Sequence, residues 1–423
     1  MDISFEETNR DLLHFISKSP SVFHVVRHIK AALLYAGFTE IREEDSWQIK
    51  RGGKYVVTRN GSALIAFSVP EDGGNAFKIT AAHCDSPTFK IKENPEIRDG
   101  KYTRLNVEGY GGMIMSTWLD RPLSAAGRLF VKDNGQIISK LVSLDHPTLL
   151  IPSVAIHMDR TVNSGHAWNI QNDLLPLYST DGAADFMETL AQAAKVKAAD
   201  ILGHDIFLYS CAPGILWGPQ HEFISSPRLD DLQCAFATFR GFTNGKKQKD
   251  ISVYALFDNE EVGSGTAQGA GSTFLTNTIS RLALSLGRSY DEIQAMLAKS
   301  FMISADNGHA VHPNHGEYAD PVNAPVLNGG IIIKFNASQK YSTDGYSAAI
   351  FRDLCLKADV PIQTYTNRSD IPGGSTLGNI SNTKVAVPTV DIGLPQLAMH
   401  SSYETAGAKD TEYLVKAVSY FFE

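Results

Sequence analysis

Short apolar runs bounded by turn-forming residues recur along the chain, and they alternate with stretches of helical periodicity. In residues 8–36, apolar positions such as Leu12 and Ile16 recur at helical spacing, which predicts one or two helices. The runs 63–67 and 77–82 are short, apolar and flanked by turn residues, so they predict two buried strands. The amino-terminal part is therefore expected to combine helices with a buried sheet.

The pattern changes after Asp85. Residues 92–225 alternate short strand-like pieces with Gly, Asn and Pro, interrupted by one predicted helix at 183–196. From residue 230 the alternation of strands and helices returns. The predicted strands are 251–257, 301–304, 331–334 and 385–391, and the predicted helices are 272–286, 343–358 and 411–421. We expect an α/β fold covered by helices, with a small β-rich domain inserted into it.

Composition narrows the classes of function. The chain has 423 residues, of which 43% are apolar and 20% charged, enough for two domains or one large domain with an insertion. The net charge is −8, and the sequence contains no block of like charges. Neither nucleic acid nor a membrane surface is therefore expected as a partner. No uncharged run approaches the roughly 18 apolar residues of a membrane span, and the start of the chain lacks a signal-peptide pattern. Four scattered cysteines favour reduced thiols and a cytoplasmic protein.

A His and an Asp stand two residues apart where the predicted strand 77–82 ends. Residues i and i+2 of a strand face the same way, so His83 could bind a metal while Asp85 fixes its tautomer. Such a pair also arises by chance. It gains weight because further acidic residues and a histidine follow the ends of later predicted strands or open a helix: Asp230, Asp231, Glu260, Glu261, Asp306 and His400.

These residues include every group that a two-metal hydrolase requires. Two divalent ions about 3.5 Å apart need a bridging ligand, flanking ligands and a carboxylate base for the water between them. Asp230 could bridge, with His83 and Asp306 completing one metal site and Glu261 and His400 the other. Glu260 would then be free as the base. Imidazole and carboxylate ligands suit zinc, and also cobalt or manganese.

Structural interpretations remain open for the individual residues. Asp230 and Asp231 could cap the following helix, the Glu260–Glu261 pair could be a solvated loop, and His400 could be a hydrogen-bonded core histidine. Other chemistries fit less well. Cys84 points away from its neighbours in an extended strand, no serine elbow is present, and the glycine-rich segment 263–272 has no phosphate-loop lysine.

Several long sequence motifs, spread from residue 19 to the terminal helix, resemble those of a known protein family. They are LNVEGYGG (105–112), SPRLD (226–230), AVHPN (310–314) and PQLAMHS (395–401), preceded by SPSVFH (19–24). The chain resembles the M18 metallo-aminopeptidases, the family that includes aspartyl aminopeptidase. The resemblance implies a mixed-sheet zinc-peptidase catalytic domain in residues 1–91 and 226–423, covered by helices. It also implies an inserted β-rich dimerisation domain in residues 92–225.

The resemblance also implies a cofactor, an assembly and further site residues. It implies two Zn²⁺ ions per subunit and dimers that assemble into a dodecamer. His157 matches a histidine that enters a neighbouring subunit's active site and stabilises the tetrahedral intermediate. Lys334 matches a lysine near the substrate side-chain pocket, where a cation would pair with an acidic residue. His309 and His312 match positions close to the substrate.

The expected function is a cytoplasmic zinc aminopeptidase that acts on peptides and prefers amino-terminal Asp or Glu. Glu260 would take a proton from the water and return it to the leaving amine. Three alternatives remain. They are a broad-specificity aminopeptidase, a two-metal deacylase or carboxypeptidase that acts on acylated amino acids, and a self-assembling structural shell in which the metal only stabilises the protein.

Overall fold

Helices and strands alternate along the chain in the computed structural model, which describes residues 3–246 and 249–423. The α-helices are α1 Ile3–Lys18, α2 Val22–Tyr35, α3 Ile170–Asp173, α4 Phe186–Ala194, α5 Leu229–Asn244, α6 Phe274–Ser285, α7 Tyr290–Ala298, α8 Gly345–Lys357, α9 Leu377–Asn382 and α10 Asp410–Phe421. The strands are β1 Thr39–Glu40, β2 Lys54–Arg59, β3 Ala63–Ser68, β4 Phe77–His83, β5 Thr88–Arg98, β6 Tyr102–Tyr110, β7 Leu123–Asp133, β8 Gln136–Ser143, β9 Leu177–Thr180, β10 Ile201–Ser210, β11 Ile215–Trp217, β12 Phe223–Ser226, β13 Ile251–Phe257, β14 Phe301–Ala305, β15 Gly308–His309, β16 Ile331–Phe335, β17 Ile362–Thr366, β18 Thr389–Gly393, β19 Pro395–Leu397 and β20 Glu404–Gly407.

A nine-stranded sheet forms the largest layer, in the order β1-β2-β3-β13-β4-β14-β18-β16-β17. Its central strands β13, β4, β14 and β18 are parallel. Strand β3 pairs antiparallel with both of its neighbours, and β16 pairs antiparallel with β18 but parallel with β17. This arrangement confirms the predicted mixed sheet within an α/β fold. Parallel neighbours end at the same edge of the sheet, and that edge is where ligands gather in such folds.

Strand β4 is buried on both faces, and its side chains point alternately into two hydrophobic clusters. Ile79 and Ala81 pack into one cluster, and Ala82 packs into the other together with α5. Nearly the whole strand is buried, as expected for a parallel strand covered by helices on both sides. The strand therefore holds its last residue, His83, in a rigid position.

A second, six-stranded sheet is built from strands between Thr88 and Ser210, in the order β8-β7-β10-β5-β6-β9. It has its own hydrophobic cluster, which includes Trp118 and Phe186. The chain enters this sheet directly after β4 and leaves it before α5. Residues 92–225 as an inserted dimerisation domain nevertheless stay a prediction.

A third sheet of five short strands has the order β11-β12-β20-β19-β15. Ser226 of β12 pairs with Glu404 of β20, which brings the carboxy-terminal segment against the start of α5. The sheet thereby joins segments that lie almost 180 residues apart in the chain.

Two further features concern membrane-spanning helices and cysteines. In the described ranges, no helix combines the length and apolar character needed to cross a bilayer. The four cysteines are all free, and three of them are buried.

Candidate metal centre

The predicted ligands converge because three parallel strands end side by side. His83 of β4 pairs with Phe257 of β13, so the turn that follows β13 lies next to His83. Strand β14 lies on the other side of β4 and ends just before Asp306. The start of α5 and the turn before β20 complete this edge of the sheet. The five predicted ligands thus come from five separate segments.

One group of potential ligands surrounds His83. Its members are His83, Asp230, Asp231 and Asp306, whose ligand atoms lie within 4.8 Å of one another. The Nε2 atom of His83 is 3.5 Å from Oδ1 of Asp230. All four residues are buried. This group contains the first metal site predicted from the sequence.

A second group contains Asp230, Glu261 and His400, again with ligand atoms within 4.8 Å. The Nε2 atom of His400 is 3.4 Å from Oδ2 of Asp230 and 3.3 Å from Oε2 of Glu261. Asp230 therefore presents one carboxylate oxygen to each histidine. A carboxylate shared in this way has the geometry of a bridging ligand.

Asp85 connects His83 to the turn that carries both glutamates. Its carboxylate accepts hydrogen bonds from the backbone N–H of Glu260 and of Glu261, each at 3.1 Å, and from the Tyr110 hydroxyl at 2.7 Å. The His83 Nδ1 atom is 3.4 Å from the Asp85 carboxylate and 3.1 Å from the Asp85 carbonyl oxygen. An Nδ1–H directed at these oxygens leaves Nε2 free to bind a metal.

His400 is oriented in the same way by a different partner. Its Nδ1 atom is 2.5 Å from the carbonyl oxygen of Gly112, so Nε2 is directed at Asp230 and Glu261. The backbone N–H of His400 donates to Glu404 at 2.7 Å. Both histidines thus present the nitrogen that metal binding requires.

Glu404 and Asp231 support the site but were not predicted to do so from the sequence. The buried Glu404 accepts the N–H groups of Asp230 at 3.0 Å and of His400 at 2.7 Å. Asp231 accepts the N–H groups of His83 at 3.3 Å and of Asn307 at 3.2 Å. Their sequence signals were weak. Glu404 is an acidic residue in the otherwise uncharged segment that follows His400, and Asp231 is adjacent to the predicted ligand Asp230.

The electrostatics of the cluster favour a bound cation. Burial raises the pKa of Asp231, Glu261 and Asp306, and nearby carboxylates raise each further. Burial and then the Asp306 carboxylate raise the pKa of Glu260 to about 8, although His83 opposes this. Within residues 3–246 and 249–423, the buried oxygens Oδ1 of Asp230 and Oε1 of Glu261 have no hydrogen-bond partner. Divalent cations bound by these residues would neutralise the charge and satisfy the two oxygens.

The predicted substrate residues surround this centre at different distances. Lys334 is 3% exposed, and its Nζ donates to the Asn307 carbonyl oxygen at 2.8 Å and lies 3.5 Å from Asp306. Burial lowers the pKa of Lys334, but Asp306 and the other acidic groups around it, Tyr341 and Asp391 among them, together outweigh this and raise it overall. His309 and His312 line a cavity of about 360 Å³ beside the segment that leads to His400. His157 lies in an exposed turn and belongs to none of the groups of potential ligands found among the described residues.

Comparison with known proteins agrees with this arrangement. Residues 15–422 match the family described as Aminopeptidase I zinc metalloprotease (M18). A probable M18 family aminopeptidase 2 of Clostridium novyi (strain NT) is 45% identical over 425 residues, covering 97% of this chain and 98% of the relative.

Solved structures share the fold over the same length. The structure of the Ape4 and Nbr1 complex has a TM-score of 0.96 at 35% identity, covering 99% of this chain and 86% of that chain. The S. cerevesiae mApe1 dodecamer has a TM-score of 0.88 at 27% identity, covering 99% and 97%. The chain therefore belongs to the M18 family of zinc aminopeptidases, enzymes that hydrolyse peptide bonds.

Proposed function

We propose that the protein is a two-zinc aminopeptidase that removes acidic residues from the amino terminus of peptides. The observation that carries the proposal is the position of Asp230, whose two carboxylate oxygens face His83 and His400. His83 and Asp306 would hold one ion, and Glu261 and His400 the other. Zinc bound there acts as a Lewis acid that polarises the scissile carbonyl and favours an attacking hydroxide.

Glu260 is the proposed general base. Its carboxylate lies within 4.8 Å of ligand atoms of His83 and Glu261. Its backbone N–H donates a hydrogen bond to the carboxylate of Asp85, which holds this turn in place. At this position Glu260 accepts a proton from the attacking water and returns it to the amine that leaves. The same side chain performs both transfers, since it contacts the reacting groups from one side.

Replacing Glu260 by Gln tests the base directly. Glu260→Gln keeps the size of the side chain but cannot accept the proton, so we expect kcat to fall by about 10²- to 10⁴-fold. Zinc content, measured by elemental analysis, should stay at the wild-type value. The exposed Glu93→Gln is the matched control and should retain full turnover. Near-normal turnover of Glu260→Gln with zinc bound would rule out Glu260 as the base.

The preference for acidic residues is proposed to depend on Lys334. Its ammonium is a buried cation next to the predicted ligand Asp306. Tyr365, which pairs with Lys334 across β16 and β17, lines the 360 Å³ cavity together with His309 and His312. A substrate carboxylate near Lys334 would gain a charge-assisted hydrogen bond. Because Lys334 also pairs with Asp306, its removal affects zinc binding as well as specificity.

A ratio of activities separates these two roles of Lys334. In Lys334→Met we expect kcat/KM for an amino-terminal Asp to fall about tenfold more than kcat/KM for an amino-terminal Leu. The exposed Lys132→Met provides the matched control for loss of a lysine. An equal fall in kcat/KM for both substrates would mean that Lys334 only pairs with Asp306 and does not select the substrate. Including acylated amino acids in the same panel tests the deacylase alternative.

The assembly and setting complete the proposal. Residues 92–225 form a dimerisation domain, and dimers build a dodecamer like that of the related mApe1. The exposed turn with His157, next to the exposed Ile156 and Met158, then reaches the active site of a neighbouring copy. There His157 hydrogen-bonds the oxyanion. Free cysteines support a reducing, cytoplasmic location for this assembly.

A further inference from the structure

A cavity of about 200 Å³ lies between the nine-stranded and six-stranded sheets. Its wall includes residues 84–88, which lead from β4 into β5, and residues 207–210 at the end of β10. Asp85 and Glu404, which orient the predicted metal ligands, also line it. The five predicted ligands do not. The cavity is therefore separate from the metal centre but touches residues that position it.

Two of the three cations that line the cavity are neutralised. Lys90 and Arg128 both bind the carboxylate of Asp205, each at 3.0 Å. The guanidinium of Arg128 also donates to Asn60 and lies 4.1 Å from the ring centroid of Phe23. Arg128 thereby links the six-stranded sheet to the turn between β2 and β3, and both side chains have little capacity left for a ligand.

The third cation, Arg228, forms no ion pair over residues 3–246 and 249–423. The charge of Glu404 acts on it from beyond ion-pair distance, and its guanidinium lies 5.8 Å from the ring centroid of Tyr209. Its Nη2 atom donates to the Ile16 carbonyl oxygen at 3.1 Å, and its buried Nε has no hydrogen-bond partner in that part of the chain. Burial lowers the pKa of Arg228 to about 10. A partly buried charge without a partner is costly, and an anion in the cavity would offset that cost.

The start of helix α2 lines the same cavity and has unused donors. Ser21 is the N-cap residue, but its hydroxyl contacts Nδ1 of His24 at 2.8 Å instead of capping the helix. The first turn of α2 contains no acidic residue. The first N–H groups of a helix have no partner within it, so those of Val22 and Phe23 remain available to an anion.

We infer that this cavity binds a small oxyanion between Arg228 and the first turn of α2. The chemistry required is a compact group with several acceptor oxygens, as in inorganic phosphate or in the carboxylate of a free amino acid. Such a ligand would join α2, the segment before α5, the β4–β5 connection and the end of β10. It would stabilise the orientation of the two sheets without entering the metal centre.

Binding to the zinc-loaded protein tests the inference without any activity measurement. Titrations with inorganic phosphate and with aspartate, at constant ionic strength set by chloride, are followed by calorimetry and by the thermal midpoint. We expect saturable binding of at least one of the two, and the tighter one identifies the source of the oxyanion. Arg228→Met should weaken binding by about tenfold or more. Arg42→Met, which removes an exposed arginine, should bind as the wild type does.

A second variant keeps the inference falsifiable if Arg228→Met does not fold. Val22→Pro removes one N–H at the first position of α2, where proline is well tolerated, and the preceding Ser21 is already extended. We expect a severalfold weaker affinity in this variant. Zinc itself binds phosphate, and this contribution is the same in all variants. The test is therefore the difference in affinity between each variant and the wild type. The absence of saturable binding in the wild type, or unchanged affinity in the variants that fold, would overturn the inference.

Discussion

Glu404 joins two segments that carry proposed metal ligands, Asp230 and His400, which are 170 residues apart in the sequence. One carboxylate oxygen accepts the N–H of Asp230 and the other accepts the N–H of His400. Burial raises the pKa of Glu404 to about 8, and the charge of Asp230 contributes in the same direction. The energetic cost of burying this acid indicates that its role is to hold both ligands in position.

Glu404→Gln should weaken zinc binding without removing a ligand. Gln offers one acceptor oxygen in place of two, so either Asp230 or His400 loses its backbone anchor. We expect the affinity for zinc to fall by about 10- to 100-fold, as is usual when a residue that orients a ligand is changed. Competition with a chromophoric chelator measures this. The exposed Glu188→Gln is the control, and equal zinc affinity in both variants would contradict the assignment.

The cluster of side chains that could bind metal was largely predictable, and the residues that accept backbone N–H groups were not. His83, Asp306 and the Glu260–Glu261 pair follow strands whose apolar pattern is visible in the sequence. Glu404 and Asp231 accept backbone N–H groups from distant segments, and such contacts leave no pattern in composition or spacing. The roles assigned to all of these residues stay predictions.

At the scale of elements, strand β18 approaches the end of β14 closely because it has a glycine there. Ala305 of β14 pairs with Ile392, the residue before Gly393. A Cβ atom at Gly393 would overlap the carbonyl oxygen of Asp306 and crowd the side chain of Lys334. The position of this predicted ligand therefore depends on a residue that has no side chain.

Gly393→Ala should disturb the metal centre through the backbone. The added methyl group must displace β18 or the end of β14, which we expect to lower the free energy of unfolding by about 1–3 kcal/mol. Zinc affinity should fall too, because Asp306 moves. Gly345→Ala is the control, since a Cβ there meets no atom within 4 Å at the first residue of α8. Denaturant titration measures the free energy of unfolding of both variants, and chelator competition measures their zinc affinity. If Gly393→Ala had the wild-type value of both, the position of Asp306 would not depend on Gly393.

Element types were predicted more reliably than element ends. The strand predicted at 251–257 matches β13, whereas the strand predicted at 385–391 begins only at Thr389. Pro388 has no N–H to donate to a neighbouring strand, so the apolar residues before it pack without joining the sheet. The five-stranded sheet was not predicted, because its short strands come from distant parts of the chain.

At the scale of the whole molecule, the proposed role of His157 makes two copies necessary for one active site. Mixing two inactive variants tests this. His157→Phe and Glu260→Gln are each expected to have little activity, but a mixed dimer restores one complete site from the two chains. After dissociation and reassembly of an equal mixture, about a quarter of the wild-type activity should return, because half of random dimers are mixed and each has one intact site.

Two controls define that experiment. Mixing the variants without dissociation should restore nothing, and wild type taken through the same procedure should recover its activity. If the reassembled mixture stays inactive while wild type recovers, His157 acts within its own chain or not at all. The fold class was predictable because hydrophobic periodicity is local, whereas assembly depends on surfaces such as the exposed turn at His157.

The spread of the metal ligands along the chain has a consequence for biosynthesis. His83 is made first, the entire six-stranded sheet is made before Asp230, and His400 is the last of the proposed ligands to be made. A growing chain therefore lacks one of its proposed zinc ligands until residue 400 has been added. The peptidase is expected to stay inactive until His400 has left the ribosome, which protects unfinished chains from their own activity.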